Sequence, residues 1–124
     1  MKDLTSQDLQ TLLGKIKSFL NISWQDTETD TEITDFIYSS IRFLDETAGA
    51  ELDYLLTPST EVKTTQANKL FNTMSYLGQD LLKNRIFYLR EKALDDFESN
   101  YQSELVALFN YGKIYKKVNE NVEQ

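Results

Sequence analysis

The chain has no cysteine and no histidine, and only one proline and four glycines in its 124 residues. The missing cysteines exclude a disulfide and a thiol nucleophile, and they suit a reducing compartment. Without histidine as well, the usual zinc ligands and the commonest general base are gone. Four scattered glycines build no phosphate-cradling loop. No run approaches the ~18 apolar residues of a membrane span. The opening MKDLTSQDLQ lacks the apolar core of a secretory signal, so a soluble chain is expected. These absences point away from an enzyme: no catalytic residue, no cofactor and no metal site is expected.

Positive charge is also scarce. Thirteen basic residues stand against 20 acidic ones, net −7. Affinity for duplex DNA rests on clustered Lys and Arg, so tight DNA binding is not expected. DNA sliding past an acidic wall is compatible with this balance.

What is present is a helical pattern. Hydrophobic residues make up 40% of the chain and aromatics 12%, enough for one packed core. Thr5, with Asp8 three residues on, reads as a cap and opens a first helix. Leu9, Leu12, Leu13, Ile16, Phe19 and Leu20 give that helix one apolar face, and Asn21 ends it. Thr29 and Glu32 have capping-box spacing, which predicts a second helix from about Glu32 to Thr47 with Ile33, Phe36, Ile37, Ser40, Ile41 and Leu44 inward. Gly49 takes the C-cap place. The acids Asp26, Glu28, Asp30 and Glu32 resemble a calcium loop only superficially. Thr31 stands where an EF-hand needs Gly, and Ile37 where it needs Glu.

Residues 50–64 hold the only proline, Pro58, and predict an irregular loop, with a strand-like piece at Leu52 to Leu56. Helical spacing resumes near Thr65 through Ala67, Leu70, Phe71, Met74 and Leu77; Gly78 ends this helix or bends a longer one. Leu82, Ile86, Leu89, Ala93, Phe97, Tyr101, Leu105 and Leu108 then step by three or four, so the stretch either runs through or breaks near Glu98. Asp95 and Asp96 are adjacent on a helix and cannot face each other, so they form no acid/base dyad. Arg85, Tyr88 and Arg90 interleave base and ring, but the acids that follow spoil a nucleic-acid groove.

The expected fold is therefore all-α. It is a small bundle of about four helices over residues 1–110, with an irregular loop around 50–64 and a flexible C-terminal tail over 111–124. Trp24 is either a lid on the core or an interface anchor. The tail brings Phe109 and Tyr111 together with Lys113, Tyr115, Lys116 and Lys117, an aromatic and basic set on an acidic chain. It is either a docking element or a frayed end.

The run FLNISWQDTETDTEITDFIYSSIRFLDETAGAELDY carries Leu20, Ile22, Trp24, Thr29-Asp30 and Gly49 in order. The run LLKNRIFYLREKALDDFESNYQSELVAL carries Leu81-Leu82, Arg85, Tyr88, Phe97-Glu98, Asn100-Tyr101 and Glu104-Leu105. Together they resemble the small head–tail connector (adaptor) family of tailed phages, whose members are also described as DNA-packaging proteins. The resemblance spans residues 4 to about 110. It implies a structural virion protein at the head–tail interface, present in the host cytoplasm during assembly. The implied partners are the portal protein, the next connector or tail-completion protein, and further copies of the same chain in a dodecameric ring. DNA would pass through the channel without sequence-specific binding. The family's C-terminal segment is implied to contact the portal. The competing expectation from composition is a small acidic helical regulator or inhibitor that binds one protein partner.

Overall fold

A computed structural model describes residues 4–57 and 65–123 of the chain, with side chains described up to Glu120. Among these residues there are five helices and no strand: α1 (Ser6–Phe19), α2 (Thr27–Ala48), α3 (Gln66–Arg90), α4 (Leu94–Asn100) and α5 (Gln102–Glu123). The all-α expectation holds, with one helix more than expected.

Local chemistry sets most of the helix ends. The Thr5 hydroxyl accepts the Asp8 amide at 3.0 Å, and the Thr65 hydroxyl accepts that of Asn68 at 3.2 Å. Both satisfy an N–H that has no partner inside its helix. Asn21 takes a left-handed φ of 60° after α1, and Gly49 takes 69° after α2. Asn and Gly bear that conformation at least cost. The second helix corrects the expectation from Thr29 and Glu32. Its N-cap is Asp26, which accepts from the Glu28 amide at 3.3 Å, and the Thr29 hydroxyl donates to the same carboxylate at 2.8 Å. Thr29 thus lies inside the first turn and braces the cap.

The helix through Gly78 is continuous. The long apolar register from Leu82 to Leu108 breaks twice instead. Lys92 adopts φ 57° and ends the reach of α3, and Tyr101 separates α4 from α5. Phe97 on α4 and Leu108 on α5 nevertheless both stay fully buried.

Glu32, early in α2, is paired at 2.8 Å with Arg90 at the end of α3, so these helices run antiparallel. Tyr115 meets Phe71 near the start of α3 with ring centroids 5.8 Å apart, while Tyr101 meets Tyr88 near its end. Helix α5 is therefore antiparallel to α3 and parallel to α2. With 25 residues, α3 is about 37 Å long and serves as the spine. Ile33, Ile37, Leu44, Met74, Leu82, Ile86 and Leu108 fill the core between the three long helices. Each side chain of this kind contributes roughly 1.5–3 kcal/mol by leaving water.

The segment after Gly49 contains a turn and no strand at Leu52 to Leu56. Its remainder, residues 58–64, including Pro58, lies outside the described residues. Leu52 and Tyr54 are core residues although no helix carries them. The Tyr54 hydroxyl donates to the Asp45 carboxylate at 2.6 Å, and the Leu52 amide donates to the same oxygen at 3.1 Å. Gln79 donates to the carbonyls of Asp53 and Leu56, and the Asp53 amide donates to the Ser75 hydroxyl. The Leu52 and Asp53 amides and the Asp53 and Leu56 carbonyls thus find partners on α2 and α3 side chains, while the Leu55 and Leu56 amides bond to Asp53 within the stretch.

Residues 111–123, expected as part of a tail outside the bundle, are helical and form the second half of α5. Gly112 is buried, and a Cβ built there would run into the main-chain carbonyl of Ala48, the last residue of α2. Glycine weakens a helix by propensity alone, but here it permits two helices to touch backbone to backbone.

Candidate interaction surface

Helix α5 has an inner and an outer side. Leu108 and Gly112 are buried, and Tyr111 and Tyr115 are half-buried against the core. Phe109, Lys113, Lys116 and Lys117 are exposed, Phe109 to 47%. The expected aromatic and basic set is thus divided. Its two tyrosines belong to the packing, while Phe109 and the three lysines face solvent. Lys113 lies over the Phe109 ring, 4.7 Å from its centroid, so the cation shields part of an apolar surface. No acidic residue occurs between Glu104 and Glu120, which makes this stretch locally basic on a chain of net −7.

Sequence reasoning missed an open groove of about 940 Å³ where α2, α4 and α5 meet. Phe43, Leu105, Val106 and Phe109 form its apolar floor and lip, and Glu46, Asp95 and Glu98 line it without any basic residue. Val106 is 51% exposed. A second hollow adjoins it along the same α2–α5 seam. Glu46, Thr47 and Phe109 line both, and Lys113, Lys116 and Glu120 line the second. Along one face, then, the lining passes from carboxylates alone beside α4, over apolar Val106 and Phe109, to the exposed cations Lys113 and Lys116 with Glu120 on the late turns of α5. One signal in the sequence pointed there. Val106 and Phe109 are large apolar residues lying off the Leu105–Leu108 core register.

Trp24 stands apart from this seam. It is 52% exposed in the α1–α2 connection, and its neighbour Ile22 fills the core position there. Five carboxylates, Asp26, Glu28, Asp30, Glu32 and Asp35, follow it at the start of α2. Lys17 pairs with Asp30 at 2.8 Å and Arg90 with Glu32. The Thr29 hydrogen bond, ahead of smaller contributions, holds the Asp26 carboxyl below the usual carboxylate range.

The buried polar groups serve structure. Arg85, 9% exposed, donates to the Ser40 hydroxyl at 2.7 Å and stacks on Phe43 with its guanidinium carbon 4.8 Å from the ring centroid. Burial lowers its pKa, and the field of Glu98 raises it in part. Among the described residues no three His, Cys, Asp or Glu side chains converge as a metal site. No described helix is long and apolar enough to cross a membrane.

The comparisons add no relative: no family model, curated protein or solved structure matches the chain.

Proposed function

We propose that this chain is an assembly part and not a catalyst. It is a head–tail connector that forms a ring on the portal of a tailed phage and extends the DNA channel toward the tail. The observation that supports this reading most is the outer side of α5. A rigid helix displays Phe109 with Lys113, Lys116 and Lys117 on an otherwise acidic molecule. Exposed aromatic rings are enriched at protein-docking surfaces, and the lysines around this one supply the charge that steers an acidic partner toward it. The order of elements that resembles the connector family supports it further. An acidic exterior also suits a conduit through which DNA must pass without adhering.

The test is co-sedimentation with assembled portal. Wild-type protein should travel with the portal, and the variant K113E/K116E/K117E should lose at least tenfold in affinity while keeping its helical circular dichroism. Absence of wild-type binding to a panel of phage portals, or equal binding by the variant, would overturn the reading. A second reading, a small acidic regulator of one protein partner, draws on the five carboxylates that open α2. It requires a strict one-to-one complex with a basic protein, and isothermal titration would show that stoichiometry.

A further inference from the structure

The α2–α5 seam is charged in a way that matches itself. Asp95 and Glu98 mark one end, Val106 and Phe109 stand exposed in the middle, and the exposed Lys113 and Lys116, with Glu120 beside them, mark the other end. A second copy turned through a twofold axis near the centre brings its basic end to the first copy's acidic end, and the reverse. Its exposed Val106 and Phe109 then meet their own equivalents. We propose that this seam is a self-association surface whose occupant is a second copy of the same chain, in an isologous pair.

Three features favour this occupant. The groove is lined by three carboxylates and by no Lys or Arg, and the nearby Arg85 guanidinium, behind Phe43, is itself buried, so the carboxylates are open to incoming lysines. The complementary lysines lie on the same face of the same molecule, so one twofold contact satisfies both ends at once. The central apolar residues are half-exposed in the single chain, and pairing removes them from water. A twofold contact also closes on itself, so association stops at two. The inference does not depend on the connector reading. If that reading holds, the pair would have to open before α5 met a portal.

Sedimentation equilibrium from micromolar to millimolar concentration tests it, with far-UV circular dichroism as the check on folding. Wild-type protein should fit a monomer–dimer equilibrium. Dimerisation should weaken more than tenfold in D95K/E98K and in K113E/K116E taken singly. An equimolar mixture of the two should recover it, because the reversed ends again complement each other. Since the chain has no cysteine, F109C provides an independent reading: it should form a disulfide-linked dimer at the axis. A wild-type chain that is monomeric at millimolar concentration would overturn the proposal. Growth beyond the dimer, or a mixture that stays monomeric, would do the same. Portal binding, measured separately, bears only on the connector reading.

Discussion

Replacing Gly112 with alanine should destabilise this protein, and the same replacement at Gly14 should stabilise it. Both glycines lie within helices, where alanine is favoured by about 0.5–1 kcal/mol because it loses less backbone freedom on folding. Their surroundings differ. Around Gly14 a Cβ meets nothing within 4 Å, so the intrinsic gain should appear undiminished. At Gly112 the Cβ meets the Ala48 carbonyl, which is main chain and cannot rotate away. Relief requires α5 to move off α2. Overpacking of this kind costs about 1–3 kcal/mol, and a backbone obstacle belongs at the upper end. The net expectation is a loss of about 2 kcal/mol for G112A against a gain of about 0.5–1 kcal/mol for G14A. For a domain of this size the two melting temperatures should differ by on the order of 10 °C. Urea unfolding followed by far-UV circular dichroism measures both. A G112A protein as stable as wild type would show that the second half of α5 is not seated on α2. The packing account of that helix would then fail.

Two further outcomes follow from the polar groups. Y54F removes a hydrogen bond to the Asp45 carboxylate and should cost about 1.5–3 kcal/mol at neutral pH, read by urea unfolding. Burial first, then Asp45, raises the Tyr54 pKa above the ordinary phenol value. The unfolded chain ionises this group near pH 10 while the folded chain keeps the proton, so that stability is full below about pH 10 and is lost as pH rises further. The gap between wild type and Y54F should therefore narrow above pH 10, and a gap that widens would contradict this. T29A should raise the Asp26 pKa toward its ordinary value in an NMR titration, since the Thr29 hydroxyl is the main cause of its depression. Asp26 favours the fold above the ordinary carboxylate pKa, and that contribution fades as pH falls through the lowered value. The protection factor of the Glu28 amide, taken against the intrinsic exchange rate at each pH, should accordingly fall in acid, and at a higher pH in T29A.

Much of the bundle could be read from spacing. The Thr5 cap, the resumption of helix near Thr65, the helix ends at Asn21 and Gly49, and the inward stripe from Ile33 to Leu44 are local signals, and local physics decides them. What spacing left open or misplaced has a nonlocal origin. Asp26 and Thr29 are both good caps, and which one wins depends on a hydrogen bond between them. Gly112 looks the same in sequence whether it ends a helix or admits a neighbour, and only the presence of Ala48 decides. The period from Leu82 to Leu108 continues across two breaks, because Phe97 stays in phase while Lys92 turns the chain without glycine. Tyr54 gives no periodic signal, as its partners are Asp45 on one helix and the core on another. Of the surface residues expected from sequence, Trp24, Phe109 and the three lysines are exposed, and Tyr111 and Tyr115 are turned inward. The acidic groove needed three separate helices to come together, and no window of sequence contains it.

The stretch from Ala50 to Thr57 has consequences for handling the protein in crude extracts. A protease must draw several residues of extended backbone into its cleft before it can cut. Here that would mean pulling the Tyr54 ring out of the interior and releasing the side-chain fastenings from Ser75 and Gln79. Lack of helix at this point therefore gives a digesting enzyme no ready opening, and scission within it should report unravelling of the bundle as a whole.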